Sequence, residues 1–262
     1  MVFTNRNRLD SIREGLAAHV ENLVLFEVTG STHALARTLI TDMDEENQNL
    51  GSTLILADRQ DSGEGRGDRH WESPTGGLYM SWLRSGLTAE TIAQLPMLAA
   101  VAAHTAVTDI GVPDVRIRWP NDILVKGRKL GGLLVFARHG ETTWVTVGLG
   151  VNLESAPVIV NDHAILATSV ADHVADGDLD SWRHDIVCTF VTALDQSMAD
   201  PKPAIDLWRS LLIQQPGDSI VVRLASGMVV SGTLVGISEE GFLRIRSNGK
   251  ERVITGGDII ES

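Results

Sequence analysis

Hydrophobic residues along the chain switch between two spacings, and the switches mark its elements. The opening stretch predicts a helix over 8–20, and LVLFEV a strand over 23–28. Ser31 then stands where a cap would start a helix running to about residue 43. The polar segment DMDEENQNLG predicts a solvated loop. STLILA predicts a strand over 52–57 and GLYMSWLR another over 77–84, so the glycine-rich stretch GEGRGDRHW at 63–71 is held between two strands. An alanine-rich helix is expected over 91–110. Short strands follow over 115–119, 129–137 and 142–151, with turn chemistry at Pro120, Asn121, Asp122 and Gly127. Trp182, Ile186, Val187, Phe190, Val191 and Leu194 recur at helical spacing and 203–213 repeats the theme, which predicts two more helices packed on the sheet.

After QQPGD the spacing falls to two. Ile220, Val222 and Leu224, then Leu243 and Ile245, alternate with polar neighbours, with turns expected at Gly227, Gly241, Gly249 and Gly257. The pattern predicts an α+β protein: a mixed β-sheet flanked by helices over 1–214 and a small all-β barrel within 215–262.

At 262 residues and 43% apolar content the chain is long enough for a sizeable core. Its formal charge of −12 argues against a broad grip on nucleic acid or an anionic membrane, which needs an excess of positive charge on one face. The apolar run over 95–103 is short for a membrane span. One cysteine, Cys188, forms no internal disulfide, and MVFTNRNRLD lacks the apolar core of a signal peptide, so a cytoplasmic location is expected.

Two clusters carry candidate chemistry. In the 63–71 stretch, three glycines let backbone amides approach a ligand, and Arg66 and Arg69 offer charged donors to carboxylate or phosphate oxygens. A flexible surface loop with incidental charges is the plain alternative. The stretch is neither a dinucleotide fingerprint nor a P-loop. In the second cluster, RIRWPNDILVKGRKLGGLLVF at 116–136, Trp119 suits the core and Pro-Asn-Asp a turn. Lys129, however, leads into a strand apolar on both faces, where an ammonium needs an anionic partner. Arginine supplies 18 of the 22 basic residues, so a lysine here is informative. Gly131 and Gly132 leave room for something to approach the strand, and a ligand is the economical suggestion. VGLGVN at 147–152 reads as a buried strand whose glycines leave space and whose Asn152 offers an amide, and a tight strand end accounts for it equally well. ATS at 167–169 reads as a cap. His184 and Cys188 lie four apart on a helix, but nothing completes a zinc site, and no metal site formed by the protein alone is expected. There is no nucleophile elbow.

Three stretches, ADRQDSGEGRGDRHW (57–71), RWPNDILVKGRKLGGLLV (118–135) and VGLGVNL (147–153), in that order and followed by a β-barrel, resemble the biotin protein ligases, also called biotin–[acetyl-CoA-carboxylase] ligases. The resemblance spans residues from about 24 to 262. It implies a catalytic domain of the class II synthetase-like biotin/lipoate ligase type with a barrel of the Src-homology-3-like type. It also implies two half-reactions. Biotin and ATP with Mg²⁺ give biotinyl-5'-adenylate and pyrophosphate; a lysine of the biotin carboxyl carrier domain of a biotin-dependent carboxylase then takes the biotinyl group as an amide.

The resemblance assigns Ser31, Thr32, His33, Gln60, Glu64, Gly65, Arg66, Lys129 and Gly132 to biotin. It assigns Arg66, Arg69, Trp71, Asn121, Asp122, Lys129 and Asn152 to ATP or the adenylate, with Lys129 and Arg66 as the catalytic pair. The family's winged helix for binding DNA is not expected, because few residues precede the strand at 23. Family members pair through sheet edges, so a homodimer is one expectation. A lipoate or octanoate ligase of the same fold, and a biotin-binding protein that has lost ligation, are the alternatives.

Three positions depart from the family's pattern: Glu64 stands for an arginine or lysine, Asp68 for a glycine, and His33 for an asparagine or glutamine. With Arg59, Arg66 and Arg69 set against Asp61, Glu64 and Asp68, the stretch 59–71 is formally neutral, which predicts a weaker hold on the intermediate.

Overall fold

The computed structural model describes residues 6–45, 50–140, 142–157 and 166–261. Residues 46–49 of the expected solvated loop and residues 1–5 of the opening segment lie outside the described residues.

Seven strands form the main sheet: β1 (Asn22–Thr29), β2 (Thr53–Gln60), β3 (Gly77–Ser85), β4 (Val115–Arg118), β5 (Asp122–Val125), β6 (Arg128–Arg138) and β7 (Trp144–Asn152), in the order β1-β2-β3-β7-β6-β5-β4. Helix α2 (Thr32–Glu45) crosses between β1 and β2, which are therefore parallel, and every other neighbouring pair is antiparallel. Ser31 caps α2, its hydroxyl accepting from the Ala34 N–H at 3.2 Å.

Side-chain alternation sorts the sheet into two faces. In β3, Leu78, Met80 and Trp82 enter the main core; in β7, Val145, Val147, Leu149 and Val151 do the same. The intervening Tyr79, Ser81, Thr146, Gly148 and Gly150 face the other way. Register agrees, since Tyr79 pairs with Gly150, Ser81 with Gly148 and Gly132 with Gly150. On the core side lies α3 (Ala89–Asp109), ten of whose residues are buried. It is the one described helix long and apolar enough to cross a membrane by length and composition, and here it is the central core helix. On the opposite side α2 packs on β2, β3 and β7.

Helix α1 (Arg6–Leu16) ends four residues before the expected limit at 20. Helix α4 (Leu179–Ala199) packs mainly on α3 and α1 rather than on the sheet, while α5 (Pro201–Leu211) lies on α3 and β4. Strand β5 was not expected, because Ile123, Leu124 and Val125 are only three apolar residues between a Pro-Asn-Asp turn and Gly127.

The C-terminal unit is a five-stranded antiparallel sheet: β8 (Ser219–Arg223), β9 (Val229–Ile237), β10 (Leu243–Ser247), β11 (Lys250–Ile254) and β12 (Asp258–Glu261), in the order β11-β10-β9-β8-β12. All four glycines expected to turn its chain have positive φ. Its alternating residues Ile220, Val222, Leu243 and Ile245 join the same apolar cluster as Leu98 and Val147. Buried Trp119 fastens the junction by donating its indole N–H to the Gly241 carbonyl at 2.9 Å, and Arg118 donates to Ile259 O at 2.8 Å.

Candidate functional site

The face of the sheet turned away from α3 carries a cavity, and its floor is glycine. A Cβ on Gly150 would stand 2.7 Å from the Trp71 ring, and one on Gly148 would stand 3.0 Å from His33 Nδ1. Two consecutive same-face positions of β7 thus lack side chains so that an indole and an imidazole can lie on the backbone. The stretch 63–71 folds over this floor as a short ladder, with Gly65 N–H donating to Arg69 O and Trp71 N–H to Gly63 O, each at 2.8 Å.

At one end, neutral groups form a chain of hydrogen bonds across four elements. Ser81 on β3 donates to Thr32 Oγ1 at 3.0 Å, and Thr32 donates its N–H (2.8 Å) and hydroxyl (3.2 Å) to Gln60 Oε1. Gln60 Nε2 then donates to Ser73 Oγ at 2.8 Å, which donates to Trp71 O at 2.9 Å. The chain orients the Gln60 amide and ties α2, β2 and β3 to the end of the loop. His33 is buried beside it. Burial, and secondly Arg37, holds its pKa down to about 4, so the ring is neutral. Its Nδ1 and the Trp71 Nε1 are buried without a protein partner, as suits a surface that meets a ligand.

At the other end sit cations. Lys129 occupies the start of β6 beside a register shift, where Leu124 pairs with Lys129 and Ile123 with Gly131. Such a bulge re-aims a side chain. Its other backbone edge is held by residues 166–168, with Lys129 N–H donating to Leu166 O at 2.8 Å and Thr168 N–H to Lys129 O at 2.9 Å. The ammonium lies 2.6 Å from Asp122 Oδ1 and 5.2 Å from the centre of the Trp71 ring. The anionic partner that Lys129 requires is therefore present within the protein. Asn121 donates its amide to Leu133 O.

Arg66 and Arg69 reach from the loop to the C-terminal sheet. Arg69 Nη2 lies 2.7 Å and Arg66 Nη1 3.4 Å from Asp258 Oδ1, and Arg66 Nη1 also donates to Gly257 O at 3.0 Å. Burial pushes the Arg66 guanidinium below its ordinary pKa, with Asp258 the largest opposing influence. Glu64 turns the other way and pairs with Arg37 at 2.6 Å, while Arg37 sits 5.6 Å over the Phe136 ring. The charge facing the two loop arginines thus comes from β12, not from the acid two positions before Arg66.

All the residues the family resemblance assigned line this cavity except Asn152. Asn152 is buried nearby, its amide donating to Thr168 O at 3.0 Å. The reading of 167–169 as a cap matches Ser169, whose side chain and N–H both meet Asp172 Oδ2. Sequence reasoning gave the glycines of VGLGVN as leaving space, and Gly148 and Gly150 do line the cavity; it passed over Tyr79, His70 and Leu134 in the lining, and Arg37, Ser73, Ser81 and Asp258 in its support. The alternation in GLYMSWLR and WVTVGLGVN carries the signal for the sheet-face residues; nothing local marks Arg37 or Asp258.

Fold and site together define a ligase of the biotin/lipoate class. Residues 25–152 match the biotin/lipoate A/B protein ligase family and 217–260 match the biotin protein ligase C terminal domain. The chain is 31% identical over 258 residues to the bifunctional ligase/repressor BirA of Bacillus subtilis, covering 95% of this chain and 77% of that protein. It is 30% identical over 252 residues to the biotin–[acetyl-CoA-carboxylase] ligase of Mycobacterium tuberculosis, covering 88% and 86%. The biotin protein ligase from Aquifex aeolicus in complex with biotin and ATP superposes with a TM-score of 0.68 at 25% identity, over 91% of this chain and 97% of that one. The chain belongs to the biotin protein ligase family.

Proposed function

We propose that the protein activates biotin with ATP in the cytoplasm and transfers it to a lysine of a biotin carboxyl carrier domain. In this reading residues 1–214 form the catalytic domain and 215–262 an accessory domain. The observation that carries it is the division of one cavity into a neutral hydrogen-bonding end and a cationic end. Biotin has the matching polarity, a neutral urea at one extremity and a carboxylate at the other.

Ser31, Thr32, His33 and Gln60 hold the neutral ring system, with Glu64, Gly65 and Gly132 completing the wall. Lys129 and Arg66 meet the reacting groups. A carboxylate oxygen attacks the α-phosphorus, the bond from that phosphorus to the bridging oxygen breaks, and pyrophosphate leaves. Two anions must approach for this, and fixed cations in a partly dry site lower that repulsion as charge develops. Arg69, Trp71, Asn121, Asp122 and Asn152 serve the nucleotide. The carrier amine then attacks the acyl carbon, AMP leaves, and the amine gives up a proton as the amide forms. No protein nucleophile is needed.

Among the described residues no group of three His, Cys, Asp or Glu side chains is placed to hold a metal. Asp122 in the cavity wall is the carboxylate that would hold Mg²⁺ brought in with ATP, and the ion would supply neutralising charge to the phosphates. Pyrophosphate exchange into ATP, run separately with biotin, lipoate, octanoate and no acid, tests the reading. Exchange dependent on biotin supports it; exchange dependent on lipoate or octanoate, or none with biotin, overturns it.

A further inference from the structure

His33 has two ring nitrogens, and the fold treats them differently. Nδ1 is sealed, lying 3.0 Å from the point where a Cβ on Gly148 would stand, and it has no protein partner. Nε2 is not sealed in this way, and His33 lines the main cavity, so Nε2 is the nitrogen that meets a ligand. Burial, and secondly Arg37, keeps the ring neutral, so one nitrogen carries a proton and the other a lone pair. Which is which decides what the cavity offers.

Both sides of the ring point to one assignment. Arg37 stands one helical turn after His33, its guanidinium carbon 5.6 Å from the centre of the Phe136 ring, and its Nε is buried without a protein partner. Phe136 pairs in register with Thr146, two residues before Gly148, whose hydroxyl oxygen is likewise buried and unpartnered. A guanidinium has donors only, and its charge favours a lone pair over an N–H on a neighbouring nitrogen. On the cavity side, Ser81, Thr32 and Ser73 have each spent their one hydroxyl proton inside the hydrogen-bond chain. A carbonyl entering there receives no hydroxyl donor from these three, so a donor from His33 is what the site lacks.

We infer that His33 is a specificity residue fixed in one tautomer: Nδ1 keeps the lone pair under the influence of Arg37, a positioning residue, and Nε2–H is a donor aimed at the carbonyl oxygen of the biotin urea. The inference rests on the proposal that this end of the cavity takes the ring system of biotin. An asparagine or glutamine, the family's residue at position 33, carries both a donor and an acceptor and can turn either toward a ligand. The imidazole offers the donor alone. The site therefore selects for an acceptor at this point of the ring and against a group that presents N–H there.

Two measurements on the full chain test this. Nitrogen NMR spectra of isotope-labelled, ligand-free protein at neutral pH read the tautomer, the His33 signals being those lost in His33→Gln. Nε2 should be protonated and Nδ1 bare, and Arg37→Met should give a mixture of the two forms. A protonated Nδ1 in the parent, or a tautomer indifferent to Arg37→Met, overturns the inference.

The second measurement compares binding of biotin with that of 2-iminobiotin, in which the urea oxygen is replaced by a nitrogen that carries protons at neutral pH. His33→Gln should narrow the preference for biotin about tenfold, the scale of one unmet buried hydrogen bond, because its amide can turn an oxygen toward the imino group. An unchanged preference overturns the inference. Should His33→Gln fold poorly by circular dichroism, His33→Asn takes its place in both measurements. A parent that binds no biotin refutes the proposed activity and with it the ligand named here, while the fixed tautomer and its dependence on Arg37 still stand or fall on the spectra.

Discussion

At the Thr32 end of the cavity the contacts of Thr32, Gln60, Ser73 and Ser81 join neutral groups passed from strand to helix to loop. At the Lys129 end each cation is already matched to a carboxylate, Asp122 or Asp258. In the first set Thr32, Ser73 and Ser81 are buried, at 3%, 4% and 0% exposure, and only Gln60 is half-buried; the second is partly wet, Arg69 reaching 56%. A buried neutral network gains by being complete and fixed, because any unpaired member costs its full desolvation. A partly exposed ion pair is weakly held and readily exchanged. The cavity thus combines a preformed mould for an uncharged group with exchangeable seats for anions, matching the chemistry of an acid that must be bound at one end and made to react at the other.

The comparison breaks most severely at Lys129. Lys129→Ala should reduce biotin-dependent pyrophosphate exchange by about a thousandfold, because the lost cation acts where charge develops, while KM for biotin moves far less. The loss has a second part, because Asp122 is left without its cation in the wall; a double-mutant cycle with Asp122→Asn measures how far the two residues act together. Equal rates in Lys129→Ala and the parent would remove Lys129 from the reaction.

His33 sharpens the neutral end through pH. Its pKa, ordinarily 6.5, falls to about 4 in the folded protein. Between those values the unfolded chain takes up a proton that the folded protein refuses. Stability from a neutral His33 is thus complete above pH 6.5 and is lost as pH falls toward 4. The expected loss from this one group is about 2 kcal/mol between pH 7 and pH 5. Urea unfolding of the parent and of His33→Asn at both pH values isolates it, since His104, also held down by burial, is common to both proteins. Identical losses in the two proteins would mean that the imidazole is not the group excluded from water.

The two ends were not equally legible in the sequence. Strict alternation in WVTVGLGVN fixes which residues enter the core and which make the floor, because a strand's period of two leaves no freedom once one face is buried. The loop between two strands and the cap at Ser31 follow from equally local rules. Charge pairing does not. Counting acids against arginines within 59–71 assumes that each acid acts on its neighbours in sequence, yet Glu64 finds Arg37 on α2 and Arg66 finds Asp258, 192 residues away. Long side chains choose partners by the packing of whole elements, which no local pattern encodes. Strand β5 escaped for a related reason: its three apolar residues gain strand geometry from β4 and β6, not from their own run.

The smallest effect is expected at Glu64, on the boundary between the two ends. Its pair with Arg37 is short, at 2.6 Å, but the side chains are 41% and 30% exposed, so solvent screens the attraction. Arg37 keeps its place over the Phe136 ring without it. The loop at this point is held by backbone, with Glu64 bridging His70 and the amides of Gly65 and Trp71 closing the ladder. None of these contacts uses the carboxylate. Glu64→Gln should therefore change stability by less than about 0.5 kcal/mol after discounting for exposure, and adenylate release by less than about twofold. Release can be timed by trapping free biotinyl-adenylate with hydroxylamine. If release instead accelerates by an order of magnitude, the Arg37 pair closes the loop, and the neutral end depends on a surface ion pair after all.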